Sequence, residues 1–237
     1  MNRIAIVAGA TGVLGRAICH ELHARGASVI CGYANRRREA EDLAAELGGF
    51  AVELRSGMDL TETVRTLVKH HGGLDILVNA VGMNREGNAV ALGPEEWRSV
   101  IEVNLDFAFS LTQAALPHML LRNHGRIIHL SSISGRAGGR GQINYAVSKA
   151  ALDRMVRAFA LETGRKGITV NCVAPGVIVS DMTERVRAEH EQELLSHIAC
   201  RRFGEPEDVA RAVAFLAEKS TGYINGIVLP VDGGMFL

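Results

Sequence analysis

Short apolar runs alternate with helical patterns along the chain, and this alternation most constrains the fold. Within the runs, apolar residues do not alternate with polar ones, which is typical of parallel strands buried on both faces. Repeated strand–helix order predicts an α/β protein: one doubly wound domain over residues 1–237 with a seven-stranded parallel sheet. We predict strands at residues 3–8, 28–32, 49–54, 74–79, 126–130, 168–174 and 226–230, and helices at 37–47, 60–71, 94–116, 145–165 and 206–218.

One long segment, residues 177–202, interrupts this pattern. It is polar, charged and helical in its spacing. Long excursions inside a compact domain often cover a functional site. We therefore predict a small helical lid at residues 177–202, with Met182, Leu194, Leu195 and Ile198 on the substrate side. An ordinary pair of surface helices is the alternative.

Composition excludes several classes of partner. Lys+Arg and Asp+Glu number 26 each, so the chain has no general attraction for nucleic acid or membrane. The N-terminus runs directly into the first strand without an apolar signal segment, which predicts a cytoplasmic protein. The four cysteines are far apart and form no CxxC pair, so we expect neither a metal site nor a disulfide.

A glycine-rich turn follows the first predicted strand. Gly9, Gly12 and Gly15 recur at three-residue intervals and precede apolar residues at helical spacing. Glycines at such a turn let a pyrophosphate approach the backbone, and the positive end of the next helix favours its charge. An ordinary strand–helix turn accounts for one glycine rather than three. The turn therefore predicts a dinucleotide-binding site.

Tyr145 and Lys149 lie four residues apart, and Ser132 precedes them. On a helix this spacing places both side chains on one face. A phenol titrates near ~10, and an adjacent ammonium lowers this pKa and makes the phenol usable in acid–base chemistry. The pair alone occurs often by chance, but the glycine turn and Ser132 favour a catalytic role.

Further polar residues follow the predicted strands at the edge where doubly wound sheets bind ligands. They are Asn79 after the fourth strand, Ser132 after the fifth and the Pro175-Gly176 turn after the sixth. Asn104 lies inside a long helical pattern, where an amide is unfavourable, so it marks a kink or a plain buried amide.

Together these motifs resemble the short-chain dehydrogenase/reductase superfamily, and most closely its β-ketoacyl-acyl-carrier-protein reductases. The resemblance covers nearly the whole chain and implies a Rossmann fold and an NADP-dependent oxidoreductase. It rests on residues 9–15, 79–82, 103–105, 132, 145–149, 171–176, 181–183 and 231–234.

The resemblance also implies a catalytic tetrad. Tyr145 resembles the proton donor to a carbonyl, and Ser132 resembles the hydroxyl that orients the carbonyl. Lys149 resembles the residue that lowers the pKa of the tyrosine and binds the nicotinamide ribose. Asn104 resembles the residue that holds a water in a proton relay from Lys149.

By position, the expected cofactor contacts come from loops after successive strands. They are Gly9, Thr11, Gly12, Val13, Leu14, Gly15, Asn35, Arg36, Glu53, Leu54, Asn79, Gly82, Tyr145, Lys149, Pro175, Gly176 and Ile178. The chain departs from the family pattern at Ala8, Gly12 and Ala80, where the family usually has Thr, a basic residue and Asn. These departures affect cofactor contacts and leave the tetrad complete.

The residues after the second strand indicate which nicotinamide cofactor binds. Enzymes of this fold that use NAD carry an acid there, but here none occurs before Glu39. Arg36, Arg37 and Arg38 instead open a helix, against its macrodipole, and a bound phosphate would compensate. We therefore predict NADPH, held by Asn35 and Arg36. A solvated basic turn is the alternative.

The expected reaction is reduction of a β-ketoacyl group on acyl carrier protein to the β-hydroxyacyl form, in fatty-acid or polyketide-like synthesis. The acidic carrier would dock transiently near Arg122, Arg165 and Lys166. Family likeness implies a homotetramer, formed through the helices at 94–116 and 145–165. The alternatives are a soluble alcohol, sugar or steroid dehydrogenase and, outside enzymes, a nucleotide-sensing protein.

Overall fold

A computed structural model describes residues 3–236 of the protein. Its strands form one seven-stranded sheet in which neighbouring strands pair in parallel, in the order β3-β2-β1-β4-β5-β6-β7. This confirms the predicted doubly wound α/β fold. The strands are β1 (Arg3–Ala8), β2 (Ala27–Tyr33), β3 (Phe50–Glu53), β4 (Ile76–Asn79), β5 (Gly125–Leu130), β6 (Ile168–Pro175) and β7 (Val228–Val231).

Helices cover both faces of the sheet. They are α1 (Val13–Ala24), α2 (Arg37–Glu46), α3 (Leu60–His71), α4 (Pro94–Ile101), α5 (Phe107–Arg122), α6 (Ser134–Ala137), α7 (Ile143–Thr163), α8 (Asp181–His197) and α9 (Pro206–Leu216). One apolar cluster joins α1, α2 and α9 to the sheet, and a second joins α3, α5 and α7 to it. Both faces of the sheet are therefore buried, which explains why the strands carry no alternation of polar residues.

Two helix ends show how local sequence sets the boundaries. Asp59 caps α3 by accepting a hydrogen bond from the backbone N–H of Glu62 at 3.0 Å. Gly72 ends the same helix in the left-handed region, with φ of 79°, which a residue without Cβ adopts at little cost. These two caps set the ends of α3, which connects β3 to β4 along the chain.

The predicted helix at residues 94–116 is interrupted in its interior, at the position where Asn104 marks a possible kink. A π-helical segment, Glu102–Asp106, separates α4 from α5, and α5 continues to Arg122. The segment is centred on Asn104, the residue that the sequence marks as a candidate kink. A π-helical turn takes in one extra residue, and such turns often lie at functional sites.

Residues 181–197 are helical, as the lid prediction requires, but the helix is not continuous. α8 has non-helical torsion angles at His190, with φ of −132° and ψ of 27°, so it bends there. Its residues are exposed or half-buried. In the described part of the chain, no helix has the length and apolarity needed to span a membrane.

Candidate active site

The carboxyl ends of β1, β4, β5 and β6 meet at one edge of the sheet, where the strand order reverses on either side of β1. Doubly wound folds bind ligands in the crevice at this position. A cleft of about 740 Å³ opens here. Its walls include Leu14 from α1, Ser132 after β5, Tyr145 from α7 and Gly176 after β6. The cleft therefore joins the start of α1, after the glycine turn, to Ser132 and Tyr145, two of the four predicted catalytic residues.

The glycine turn is held close to β2. The backbone N–H groups of Gly9 and Ala10 both donate to the carbonyl of Gly32, at 3.0 and 2.9 Å. A Cβ on Gly15 would lie 2.0 Å from the carbonyl oxygen of Gly9, so a larger residue does not fit there. Gly9 has a φ of 79°, which also favours glycine.

The N-terminus of α1 fits an anionic group. Gly12 caps the helix without a side-chain hydrogen bond, and no acidic residue lies in the first turn. The backbone N–H groups of this turn, including those of Val13 and Leu14, therefore point toward the cleft edge without a side chain to cap them. This is the arrangement that binds the pyrophosphate of a dinucleotide. Thr11 lies between the glycines, in the same turn.

Tyr145 and Ser132 face each other in the cleft. Burial raises the pKa of the Tyr145 phenol, and a hydrogen bond with Ser132 opposes the rise. The sequence expectation that Lys149 lowers this pKa is not met in the structure. The Lys149 Nζ lies 5.6 Å from the centroid of the Tyr145 ring and donates to the carbonyl of Leu130 at 2.8 Å. Burial therefore has the larger effect on the pKa of the Tyr145 phenol, and this pKa is raised.

Lys149 is itself 2% exposed. Burial lowers its pKa to about 8, and the neighbouring Cys172 and Asp153 oppose this change. A lysine whose pKa is near neutrality can both hold and release a proton in the physiological range. Gly82 lies beside this lysine, and a Cβ there would make an ordinary contact with Nζ at 3.4 Å.

Asn104 uses its whole side-chain amide to join three elements. Its Oδ1 accepts from the N–H of Met83 at 2.7 Å, and its Nδ2 donates to the Met83 carbonyl and to Ser148 Oγ, each at 2.9 Å. Ser148 in turn donates to the carbonyl of Tyr145 at 2.7 Å. The amide is therefore an anchor between the π-helical segment, the loop after β4 and α7. Its Oδ1 accepts one bond here and has a second lone pair, so a water-holding role for this residue can use either the side chain or the backbone.

Asn79 shapes the loop after β4 in the same way. Its side chain is 1% exposed, and Oδ1 accepts from the N–H of Val81 at 3.1 Å. The next residue, Ala80, donates to the Ala8 carbonyl at 2.9 Å and packs against Gly9. Ala8 and Ala80, where the chain departs from the family pattern, are therefore joined by a backbone hydrogen bond beside the glycine turn.

The residues expected at the adenosine end lie together beyond β2 and β3. Asn35 and Arg36 are exposed, and Arg36 forms an ion pair with Glu39 at 3.3 Å. Leu54 is buried, and its N–H donates to the Tyr33 carbonyl at 2.7 Å. Glu53 pairs with Arg55 at 2.6 Å. The ion pair with Glu39 partly offsets the unfavourable basic start of α2.

The lid forms one wall of the cleft. Met182, Val186 and Leu194 line it, as do Pro175 and Ile178, which the sequence assigns to the cofactor. Leu195 is not among the lining residues. Ile198 is buried beneath the cleft, where it packs against Gly233, so its predicted place on the substrate side is wrong.

Several residues at the site escape sequence reasoning. Met83 and Ser148 hold Asn104, and Asn144 holds the start of α7 through bonds to the Arg85 carbonyl and the Tyr145 N–H. Met235 and Phe236 also line the cleft. A backbone partner such as Met83 has no side-chain signature. Ser148 is adjacent to Lys149, and that position in the motif is a signal that could have found it.

A family model described as enoyl-(acyl carrier protein) reductase matches residues 9–236. The chain belongs to the short-chain dehydrogenase/reductase superfamily, which makes it an oxidoreductase that uses a nicotinamide cofactor. This confirms the resemblance drawn from the motifs.

Relatives of known name extend over the full chain. It is 40% identical over 240 residues to 3-oxoacyl-acyl-carrier-protein reductase FabG of Haemophilus influenzae, covering 100% of this chain and 99% of the relative. It is 37% identical to the protein of the same name from Vibrio cholerae, covering 100% and 98%. The crystal structure of gox2181 superposes with a TM-score of 0.94 at 28% identity, covering 99% of this chain and 95% of that one.

Proposed function

We propose that this enzyme reduces the ketone of a β-ketoacyl group carried on acyl carrier protein to the β-hydroxyacyl form, in fatty-acid or polyketide-like synthesis. The observation that carries the proposal is the cleft in which Ser132 and Tyr145 face the lid residues Met182, Val186 and Leu194. The hydroxyl groups on one wall of the cleft can hydrogen-bond a carbonyl, and the apolar lid side chains can pack against an acyl chain. The full-length identity to the named reductases supports the same substrate.

Each tetrad residue has a distinct task in this proposal. Held by Lys149 and the glycine turn, NADPH would supply the hydride that the carbonyl carbon accepts. Tyr145 donates a proton to the carbonyl oxygen, and it stays protonated at neutral pH because burial raises its pKa. Ser132 hydrogen-bonds the same oxygen and fixes its position. Lys149 holds the ribose and returns a proton to Tyr145, which its pKa of about 8 permits.

NADPH is favoured over NADH by the charges beyond β2. No carboxylate stands at the end of β2, where an acid would bind the ribose hydroxyls of NAD. Arg36 is exposed and directly precedes α2, where it can carry a positive charge to a 2′-phosphate. Its pairing with Glu39 means that the phosphate has to displace or share this contact.

Carrier docking requires more than one copy of the chain if it uses the basic residues predicted from the sequence. Arg165 and Lys166 lie at the far end of α7 from Tyr145. A helix rises 1.5 Å per residue, so about 30 Å separates them from the catalytic phenol. Arg122 lies at the same far edge, paired with Asp75 at 3.3 Å. These residues therefore suit a carrier that reaches the cleft of a neighbouring copy.

We also infer a homotetramer, which provides such a neighbour. Large apolar side chains on α5 and α7 face solvent: Phe109 is 44% exposed, Leu121 84% and Leu161 85%. Helix faces of this kind are typical of protein–protein interfaces. Light scattering on the purified chain tests this inference.

A substrate screen with NADPH tests the proposed function. We expect turnover of β-ketoacyl thioesters on a carrier protein, and slower turnover on small thiols. The family model's name raises a second candidate, reduction of the carbon–carbon double bond of an enoyl thioester. Turnover of the enoyl thioester without the ketone, or of free ketones and polyols alone, would contradict the proposal.

A further inference from the structure

Asp153 lies one helical turn after Lys149 in α7, and both side chains are buried. Lys149 is 2% exposed and Asp153 is 8% exposed. Residues four apart on a helix share one face, so the carboxyl and the ammonium lie on the side of α7 that packs on the sheet. A buried carboxyl destabilises a fold unless it is paired or hydrogen-bonded.

The hydrogen bonds around Asp153 do not account for its place in the core. Ser131, after β5, and Cys172, in β6, lie within hydrogen-bonding reach of the carboxyl. Its Oδ1, however, has no hydrogen-bond partner in the described residues. Buried polar atoms are nearly always partnered, and an unpartnered one often has a catalytic role. Lys149 stands four residues before it on the same helix face, and Arg157 stands four residues after it.

The charged groups around this pair come from every element that packs against it. On α7, the charges of Lys149 and Arg157 act on Asp153, and Arg154 stands beside them. From β6, Cys172 contacts Asp153. From β5, His129 lies near Lys149, whose positive charge lowers the pKa of His129. A second cleft of about 510 Å³ lies on the outer side of Asp153, with Arg136, Arg154 and Arg157 in its wall.

The pKa of Lys149 depends on this carboxyl. Burial lowers the pKa of Lys149 to about 8, and the charges of Cys172 and Asp153 act in the opposite direction. Burial raises the pKa of Cys172 well above its usual value, so its thiol is uncharged at neutral pH. Burial also raises the pKa of Asp153, but two hydrogen bonds and two positive charges oppose this. Asp153 is therefore the group whose negative charge, when the carboxyl is ionised, favours the ammonium.

We propose that Asp153 is a positioning residue that keeps Lys149 in its ammonium form, so that the lysine can hold the cofactor ribose and return protons to Tyr145. The proposal rests on the function proposed above for Lys149. It concerns the charge of the lysine and leaves the identity of the substrate open.

The pH dependence of kcat/KM tests this proposal. In Asp153→Asn, we expect the alkaline limb of the profile for a β-ketoacyl thioester to move down by about one pH unit, the shift expected for losing one charge several Å away. Asp153→Leu removes the buried polar group altogether. The proposal requires the alkaline limb of its kcat/KM profile to move in the same direction. Glu162→Gln removes a carboxylate from the exposed side of α7 and is the matched control, with an unchanged profile.

Cofactor binding gives a readout that does not involve the phenol or the substrate. In a Tyr145→Phe background, we expect Asp153→Asn to move the pH dependence of the NADPH dissociation constant down by the same amount. An unmoved limb, or a uniform loss of activity at every pH, would overturn the proposal. So would failure of both variants to fold, since a residue that only tunes Lys149 is dispensable for folding. If NADPH binding responds to pH as expected but the enzyme does not reduce β-ketoacyl thioesters, that result would instead count against the proposed function.

Discussion

Asn104 Nδ2 donates a hydrogen bond of 2.9 Å to Ser148 Oγ, which joins the π-helical segment to the helix that carries Tyr145 and Lys149. The residues are 44 positions apart in the chain, and both are buried. The same amide carries two bonds to the Met83 backbone. The Asn104 side chain therefore fixes the catalytic helix against the loop after β4, in addition to the bond from Asn144 to the Arg85 carbonyl.

This relationship predicts unequal effects of two alanine substitutions. Asn104→Ala leaves the backbone N–H and carbonyl of Met83 without partners, so we expect a loss of about 2–4 kcal/mol in the free energy of unfolding. Ser148→Ala keeps both Met83 bonds and costs about 1 kcal/mol. Urea denaturation measures both. Equal losses in the two variants would show that the Met83 bonds contribute little.

Cofactor preference is expected to follow Arg36. Arg36→Asp places a negative charge where the 2′-phosphate is proposed to bind, and we expect NADPH affinity to fall roughly ten- to a hundredfold with little change for NADH. Arg65→Asp, on the exposed side of α3 and also paired with a glutamate, is a control for charge reversal. Isothermal titration with both nucleotides decides the matter, and a wild-type enzyme that binds both equally would contradict the phosphate site.

Acid sensitivity is expected from His129. This side chain is fully buried, with a hydrogen bond of 3.0 Å to Thr112, and burial, then the charge of Lys149, lowers its pKa to about 3. Between about pH 6.5 and 3 the unfolded chain therefore binds a proton that the folded protein does not. Stability falls as pH falls through this window, by up to about 1.4 kcal/mol per pH unit from this residue.

The variant His129→Gln removes this titration while keeping a side chain that can bond to Thr112. We expect its free energy of unfolding to depend less steeply on pH between 6 and 4 than that of the wild type. His197→Gln, at the exposed end of α8, provides the control. Parallel slopes for wild type and His129→Gln would contradict the assignment.

The lid is expected to be mobile until ligands bind. Its residues make few buried contacts, its helix bends at His190, and its base is tied down through Thr183, which donates to the Ile178 carbonyl. Hydrogen exchange on the free enzyme, the NADPH complex and a ternary complex tests this expectation. Protection of residues 177–202 rises with ligand if the lid closes, whereas α9 serves as the control with little change. Equal, strong protection in all three states would favour ordinary surface helices.

Sequence spacing predicted the sheet and placed Tyr145 and Lys149 on one helix face, because burial of parallel strands and helical periodicity are local signals; the complete tetrad came from the family resemblance. It missed the π-helical turn at Asn104, since one extra residue in a turn leaves the apolar spacing of residues 94–116 almost unchanged. It also missed the bonds from Met83 and the effect of burial on the Tyr145 phenol. Those depend on which segments meet in space, and no pattern within one segment reports that.

The central claim, that Tyr145 donates the proton in carbonyl reduction, is tested most directly by Tyr145→Phe. The substitution removes one hydroxyl from a half-buried ring, so we expect the fold and NADPH affinity to be nearly unchanged. Steady-state reduction of a β-ketoacyl thioester is expected to fall by ~10²–10⁴-fold, the usual contribution of general acid–base catalysis. Near-normal turnover by a folded, NADPH-binding Tyr145→Phe enzyme would contradict the account.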